Sequence, residues 1–292
     1  MLEKRGPAII IAISILVPLV VVALMFMPER YNFLGVESGL FPLFHGILNA
    51  STALLLVTGF TLIKSGNATA HRAVMTTAFV LSAIFLVSYS IFQVMNKEFN
   101  IDLNKAKYFA GHSLGEYSAL SCAGYLNFAD TLKLLRIRGE AMQNAVPEGE
   151  GGMIAVLGST VENIEAILKE NKKNFLTEIA NDNTDGQIVL SGRNNDLIKL
   201  IEILKSKSIK NIKLPVSAPF HCQLMNKATK IMKKEIDKVN FQDGNNILIS
   251  NVTADEIQNT TDLKTLLVKQ IENRVRWRES VINMINSGIN HF

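Results

Sequence analysis

The sequence predicts two parts of different fold class, an all-α transmembrane segment over residues 1–83 and an α/β domain over residues 84–292. The charges divide in the same way: residues 1–96 hold eight of the 56 charged side chains, and the remaining 196 residues hold 48. A charged share near one quarter is typical of soluble globular domains. Long apolar runs in the first part and a strand–turn–helix pattern in the second are the other two observations behind this prediction.

Three long uncharged stretches cover residues 7–27, 42–63 and 73–95. The first has about twenty mostly apolar residues, enough to cross a hydrocarbon core of about 30 Å. It is long for the apolar region of a signal peptide, and no small-residue cleavage pattern follows it. The sequence therefore predicts two or three membrane spans, contact with a lipid bilayer through residues 7–63 or 7–95, and a location in a bacterial inner membrane.

Basic residues beside these stretches predict the topology. Lys4 and Arg5 place the N-terminus inside, and Lys64 and Arg72 place the second loop inside. If residues 73–95 span the membrane, the α/β domain lies outside the cytoplasm. If they pack instead as a helix of that domain, only two spans remain, and the domain lies in the cytoplasm, as we expect.

Two segments of the first part, residues 41–50 and 65–75, contain Phe-Pro-Leu-Phe-His-Gly and Ser-Gly-Asn followed by His-Arg. They resemble a small family of four-helix membrane proteins associated with haem–copper oxidases. This resemblance makes His45 and His71 candidate metal or haem ligands. The alternative, which we favour, is that both are interfacial polar groups, and we predict no bound metal.

A short apolar run over residues 106–110 leads into Gly-His-Ser-Leu-Gly at 111–115, and helix-forming residues follow. A strand, a sharp turn and a helix in this order form a nucleophile elbow, which exposes a serine at a helix N-terminus. The sequence therefore predicts Ser113 as a nucleophile. The backbone N–H of Leu114 is then placed to stabilise a developing oxyanion.

A serine hydroxyl needs a general base near neutral pH, and the chain has five histidines. Four are poor candidates because they lie in the membrane part, inside the elbow or at the last residues: His45, His71, His112 and His291. The remaining histidine, His221, is the candidate base. Without the elbow, a hydrogen-bonded loop histidine would be the simpler interpretation of His221.

Three motifs of the second part carry a resemblance to a known family. They are Gly-His-Ser-Leu-Gly-Glu-Tyr at 111–117, Arg-Ile-Arg-Gly at 136–139 with Met-Gln at 142–143, and Pro-Phe-His at 219–221. With them, residues 84–292 resemble malonyl-CoA:acyl carrier protein transacylases. The resemblance implies that Ser113 accepts the acyl group, that His221 is its base and that Arg138 pairs with the malonyl carboxylate.

The same resemblance implies the substrates and further site residues. Malonyl-CoA and the phosphopantetheine arm of an acyl carrier protein are the expected substrates, with no other cofactor, in fatty acid biosynthesis. Asn183 and Gln187 match a segment that lines the family's site, and Asn251 is expected near the histidine. Together with Leu114, these residues are the predicted substrate-binding group beside Arg138, whose planar guanidinium suits a carboxylate.

Between residues 151 and 215 strands alternate with amphipathic helices. The predicted strands cover 153–157, 176–181, 187–191 and 209–215, and the predicted helices cover 162–171 and 195–206. This is the order of a ferredoxin-like βαββαβ subdomain. The predicted fold of the second part is therefore an α/β-hydrolase-like core with a ferredoxin-like subdomain.

Other functions stay open at this point. The chain lacks the family's N-terminal Gly-Gln-Gly-Ser-Gln loop and its C-terminal strand, turn and helix, and residues 83–89 fit both resembled families. The alternatives are therefore a hydrolase with the same elbow, an oxidase-associated membrane protein with an inert acyltransferase fragment, or a chimeric or misassembled gene. Arg138 and the absence of an acidic residue before His221 argue against the hydrolase.

Composition excludes two further classes. The net charge of +4 is scattered without a basic stripe, so nucleic-acid binding is not predicted. The two cysteines, Cys122 and Cys222, fit neither a disulfide framework nor a zinc site.

Overall fold

The computed structural model describes residues 85–172, 175–216, 218–244 and 246–292. The predictions for residues 1–84 lie outside the described residues, including the spans over 7–27 and 42–63 and the candidate ligands His45 and His71. Within the described part of the chain, no helix is both long and apolar enough to cross a bilayer.

The described end of the predicted third span contains the helix α1 (Val87–Lys97). Phe85, just before this helix, is fully buried. Its ring stacks on Phe128 with ring centroids 5.3 Å apart and contacts Tyr89 at 5.8 Å. Phe85 and Tyr89 therefore pack against the α/β core.

The larger layer is built around a two-stranded parallel sheet. Strands β1 (Tyr108–Phe109) and β6 (Ile247–Leu248) pair directly. Parallel strands require a long crossover connection, and here the crossover contains five of the described helices, three of this layer and two that pack on the second sheet, together with that whole sheet. The helices of this layer are α2 (Leu114–Cys122), α3 (Phe128–Gln143), α6 (Asn226–Asp237), α7 (Thr260–Lys269) and α8 (Trp277–Asn286), with short 3₁₀ turns at Leu103–Lys105 and Gln223–Met225.

The core of this layer follows from helical spacing. On α6, Ala228, Met232 and Ile236 recur every four residues and are fully buried, so one face of the helix is apolar. Leu134 and Leu135 of α3 are buried in the same hydrophobic cluster. This packing fixes α3, which carries a charged residue of the site described below.

Side-chain caps set where two of these helices begin. The Asn127 side-chain oxygen accepts from the backbone N–H of Asp130 at 2.8 Å at the start of α3. Asn259 caps α7 in the same way, accepting from Asp262 N–H at 2.9 Å. Each cap satisfies a backbone donor that has no partner inside the helix.

The smaller layer is a four-stranded antiparallel sheet of β2 (Gly151–Leu157), β3 (Thr177–Thr184), β4 (Gln187–Arg193) and β5 (Lys210–Lys213). The strand order is β3-β4-β2-β5. Two helices pack on one face, with Ile164 and Ile167 of the first and Leu200 and Leu204 of the second buried against Leu190. The connectivity is that of a ferredoxin-like unit. Its two helices are α4 (Val161–Glu170) and α5 (Asn194–Ser206).

The two layers are joined along β3 and the start of α8. Asp182 N–H donates to the Val275 carbonyl at 2.9 Å, and Val275 N–H donates to the Ala180 carbonyl at 2.8 Å. The fully buried Asp182 carboxylate also accepts three hydrogen bonds from Arg278. These contacts fix the end of β3 against the start of α8, and His112 in the turn before α2 contacts Asn183 of β3.

Candidate active site

Ser113 occupies the sharp turn between β1 and α2. Its backbone has φ 53° and ψ −105°, a conformation that costs a non-glycine residue about 1–3 kcal/mol. Because α2 begins at Leu114, the N–H of Leu114 has no acceptor within the helix. The turn requires a glycine at Gly111, since a Cβ there would lie 2.0 Å from the carbonyl oxygen of Gly115.

Two amide side chains hold this turn. Asn251 spans it, with its Oδ1 accepting from Ser113 N–H at 2.7 Å and its Nδ2 donating to the Gly111 carbonyl at 2.8 Å. Gln270 Nε2 donates to the Ser113 carbonyl at 2.9 Å. Both amides are buried, so the unusual backbone at Ser113 is fixed by hydrogen bonds that water does not replace.

Ser113 and His221 form a hydrogen-bonded pair, with Oγ and Nε2 2.8 Å apart. The other ring nitrogen, Nδ1, lies 2.8 Å from the Gln270 carbonyl oxygen. A carbonyl only accepts, so Nδ1 carries the hydrogen, and Nε2 presents its lone pair to the serine hydroxyl. The geometry therefore places a neutral imidazole as the acceptor for the Ser113 proton.

Burial keeps this imidazole neutral. His221 is 4% exposed, and burial together with the charge of Arg138 lowers its pKa from 6.5 to about 3. The hydrogen bond to the Gln270 carbonyl acts in the opposite direction. At neutral pH His221 is thus available as a base rather than already protonated.

Arg138 reaches the same point from α3. Its Nη2 donates to Ser113 Oγ at 2.9 Å and to Gln270 Oε1 at 3.0 Å. The side chain is buried, and its Nε has no hydrogen-bond partner among the described residues. Burial lowers the pKa of Arg138. A buried cation whose acceptors are neutral groups is suited to receive an anionic group beside the nucleophile.

Glu116, in the first turn of α2, lies behind these groups. It is buried, its carboxylate accepts a hydrogen bond from Gln270 Nε2, and it also accepts from Asn251 N–H at 3.5 Å. Burial raises the pKa of Glu116 to about 7, against the opposing effects of these hydrogen bonds and of Arg138.

The structure thus brings Ser113, His221, Arg138 and Asn251 together, with the Leu114 N–H at the same turn. Asn183 contacts the neighbouring residue His112 rather than the nucleophile: its Oδ1 is 2.9 Å from His112 Nε2. Gln187 is not part of this cluster: it is exposed at the first position of β4, opposite Leu157.

Two residues of the cluster were not among the predicted site residues. Gln270 contributes its backbone carbonyl and both polar atoms of its side-chain amide. Every residue has a backbone carbonyl, so the amino-acid type does not reveal that role. Glu116 directly follows the elbow, where an acidic residue is also expected simply because it favours a helix N-terminus. A carboxyl group on the first turn of a helix as apolar as α2, with five other buried residues, was the available signal.

The arrangement supports covalent acyl transfer through a serine. The nucleophile, Ser113, lies within hydrogen-bond distance of a neutral base, His221, and of a cation, Arg138. It also directly precedes the N-terminus of α2. In serine hydrolases an acid commonly orients the histidine, whereas here a backbone carbonyl does so.

Known proteins share both the sequence and this fold. A model of the acyl transferase domain family matches residues 42–292 and so begins well before residue 84, inside the predicted second span. The malonyl CoA-acyl carrier protein transacylase of Bacillus subtilis (strain 168) is 41% identical over 185 residues, covering 63% of this chain and 58% of that protein.

Two solved structures extend the comparison. An acyl-carrier-protein S-malonyltransferase from Bartonella henselae is 39% identical with a TM-score of 0.71, covering 76% of this chain and 70% of that one. A malonyl-transacylase solved in complex with a type II PKS acyl-carrier protein is 32% identical with a TM-score of 0.67, covering 74% and 68%.

The match spans 58% and 66% of the length of two curated relatives, from Bacillus subtilis (strain 168) and Haemophilus influenzae. The resemblance of residues 41–75 to oxidase-associated membrane proteins, and a fusion at residues 83–89, stay predictions. The family match covers most of the chain and includes every residue of the cluster around Ser113. This chain belongs to the acyl transferase domain family.

Proposed function

We propose that this chain transfers a malonyl group from malonyl-CoA to the phosphopantetheine thiol of an acyl carrier protein, through an ester on Ser113. The observation that carries the proposal is the meeting of three groups at one oxygen. Ser113 Oγ is 2.8 Å from the His221 base and 2.9 Å from the buried Arg138 guanidinium. The similar transacylases act on the same acyl group.

In the first half-reaction Ser113 Oγ attacks the thioester carbonyl carbon while His221 Nε2 takes the hydroxyl proton. The tetrahedral oxyanion is stabilised by the Leu114 N–H at the N-terminus of α2. When the intermediate collapses, the carbon–sulfur bond breaks and His221 returns its proton to the sulfur of coenzyme A. A malonyl ester on Ser113 remains.

In the second half-reaction the carrier-protein thiol gives its proton to His221 and attacks the ester carbonyl. The carbon–oxygen bond to Ser113 then breaks, and the same proton returns to Ser113 Oγ. Since the base starts and ends each half-reaction neutral, its low pKa leaves it in the required form at neutral pH.

Arg138 supports the choice of a malonyl group. The Arg138 guanidinium donates to two neutral oxygens, Ser113 Oγ and Gln270 Oε1, so the free carboxylate of a malonyl group can supply a directly bonded anionic partner. An acetyl group cannot. The carboxylate would also cancel the charge that helps to lower the pKa of His221. A malonyl group therefore strengthens the base that an acetyl group would leave weak.

We also propose that this acyltransferase domain works on the cytoplasmic side, where coenzyme A thioesters are available. The packing of Phe85 and α1 on the α/β core supports the two-span topology that leaves the domain there. Attachment to a bilayer through residues 7–63 stays a prediction from hydropathy.

The proposal is tested by incubating the full chain with malonyl-CoA and mapping the adduct by peptide mass spectrometry. We expect a malonyl adduct on Ser113 that is lost in Ser113→Ala and is discharged by an acyl carrier protein carrying its phosphopantetheine. Ser118→Ala is a matched control, since its buried hydroxyl on α2 has no hydrogen-bond partner among the described residues. A folded wild-type chain that takes up no malonyl group would refute the proposal.

A further inference from the structure

Gln270, at the end of α7, touches each reactive group of the site. Its backbone oxygen holds His221 Nδ1 at 2.8 Å, and its Oε1 accepts from Arg138 at 3.0 Å. Its Nε2 donates both to the Ser113 carbonyl and to the Glu116 carboxylate. Gln270 is fully buried, so no water competes for these positions.

The orientation of the Gln270 amide decides whether these contacts exist together. An amide presents an acceptor at one end and donors at the other, and the two ends have nearly the same shape. Arg138 can only donate, so it requires the oxygen end. Ionised Glu116 can only accept, so it requires the nitrogen end. Glu116 and Arg138 therefore select the same orientation from opposite sides.

Glu116 also connects the two segments that hold the elbow. One carboxylate oxygen accepts from Gln270 Nε2, and the other faces the Asn251 N–H at 3.5 Å. A carboxylate has an acceptor oxygen for each of these donors, whereas a glutamine in its place has only one. Replacing the carboxylate leaves one donor without a partner and removes the negative charge that faces Arg138.

We propose that Glu116 is a positioning residue that acts through the Gln270 amide to hold Arg138 in place for the carboxylate of the acyl group. The inference rests on the proposed function, because it assigns Glu116 to the recognition of that carboxylate. This role differs from that of a residue that only stabilises the fold. A structural residue would affect all acyl groups alike, whereas this one affects those that carry a carboxylate.

The test compares Ser113 acylation by malonyl-CoA and by acetyl-CoA in single-turnover experiments at pH 8, where Glu116 is ionised. In Glu116→Gln we expect malonyl transfer to fall by about ten- to hundredfold, the usual effect of losing a hydrogen bond to a charged group. Acetyl transfer should change by less than about threefold, so the preference for malonyl falls. Glu140→Gln is the matched control: the same change on an exposed residue of α3 that pairs with Arg136.

A second arm uses the Arg138→Ala background. If Glu116 acts through Arg138, adding Glu116→Gln there should change malonyl transfer little, because the group it positions is gone. An equal loss for malonyl and acetyl groups in Glu116→Gln, or an unchanged effect in the Arg138→Ala background, would overturn the inference.

The experiment also distinguishes a variant that fails to fold, and a failure of the proposed function, from a failure of the role of Glu116. If Glu116→Gln does not fold, Gln270→Met removes the amide but keeps the backbone carbonyl that holds His221, and it should show the same loss of malonyl preference. An unchanged preference in Gln270→Met would refute the inference. If the wild-type chain takes up no malonyl group, the proposed function fails, whereas normal uptake with an unchanged preference in the variants refutes only the role of Glu116.

Discussion

Glu116 and His221 are buried at one site, and their pKa values are displaced in opposite directions. Burial raises the pKa of Glu116 from 4.5 to about 7 and lowers that of His221 from 6.5 to about 3. Folding therefore favours the neutral form of both groups. The perturbation that separates them is a pair of variants without a titrating group, Glu116→Gln and His221→Gln.

The contributions of the two groups to folding stability change with pH in opposite directions. Glu116 binds its proton more tightly when folded, so its contribution to stability is present below pH 4.5 and is lost as the pH rises to about 7. His221 binds its proton more weakly when folded, so its contribution is present above pH 6.5 and is lost as the pH falls towards 3. The two displacements correspond to about 3 and about 5 kcal/mol.

Between pH 4.5 and 6.5 the two effects oppose each other. The unfolded state has a protonated His221 and the folded state a protonated Glu116, so unfolding changes the number of protons bound by the pair very little. The wild-type pair should therefore make the stability nearly independent of pH in this range. Each variant removes one side of this balance.

The assay is urea unfolding of the full chain at pH steps from 4 to 8. We expect the free energy of unfolding of Glu116→Gln to fall further below that of wild type, by about 2–3 kcal/mol, as the pH drops from 8 to 4.5. Over the same range His221→Gln should gain on wild type by a similar amount. If the difference in free energy of unfolding between each variant and wild type does not change with pH, the assignment of both groups as buried and neutral is refuted.

Three further predictions concern the turn, the junction of the layers and a helix cap. Gly111→Ala should abolish Ser113 acylation, because its Cβ would meet the Gly115 carbonyl. The Cβ of Gly115→Ala meets nothing within 4 Å, so this variant should raise the stability by up to about 1 kcal/mol. Thermal unfolding and the adduct assay check both variants, and equal effects would contradict the geometry. Asp182→Asn should lower the stability by about 2–3 kcal/mol, since it breaks a buried pair with Arg278; a coupling energy near zero in a double-mutant cycle would contradict this. Asn127→Ala should cost about 1 kcal/mol of stability by removing the cap of α3; Asn127→Ser, the control in the same denaturation series, should keep most of that stability, because a serine hydroxyl can also accept from the Asp130 N–H.

The nucleophile and the base were predictable from the residues themselves, whereas the role of Arg138 came from the family resemblance. Gly111 and Ser113 indicate a tight turn before a helix, and the structure has that turn. His221 followed from excluding the other histidines. Gln187 was placed with them by resemblance alone, and the structure leaves it exposed at the first position of β4. Asn251 was assigned in the same way and holds the Ser113 turn, and Asn183 contacts His112.

The smaller layer was predictable for a different reason. Apolar residues such as Leu197, Leu200 and Leu204 recur at helical spacing, and short apolar runs flank them, so periodicity alone indicated the order of elements. The ends of strands were less predictable. The last strand, predicted over 209–215, covers only Lys210–Lys213, because pairing with β2 rather than apolar character decides where a strand ends.

The contacts that hold the reactive groups could not be read from residue type. Ser113 and His221 both have a positive φ, 53° and 58°, which for non-glycine residues persists only when surrounding bonds fix it. At Ser113 those bonds come from Asn251 and Gln270, far along the chain, and Gln270 also fixes the ring of His221. A chain can therefore keep every motif of a nucleophile elbow and still lose its reactivity through a change at Gln270. Reactivity depends on long-range packing of the loop after α7 as much as on the sequence around Ser113.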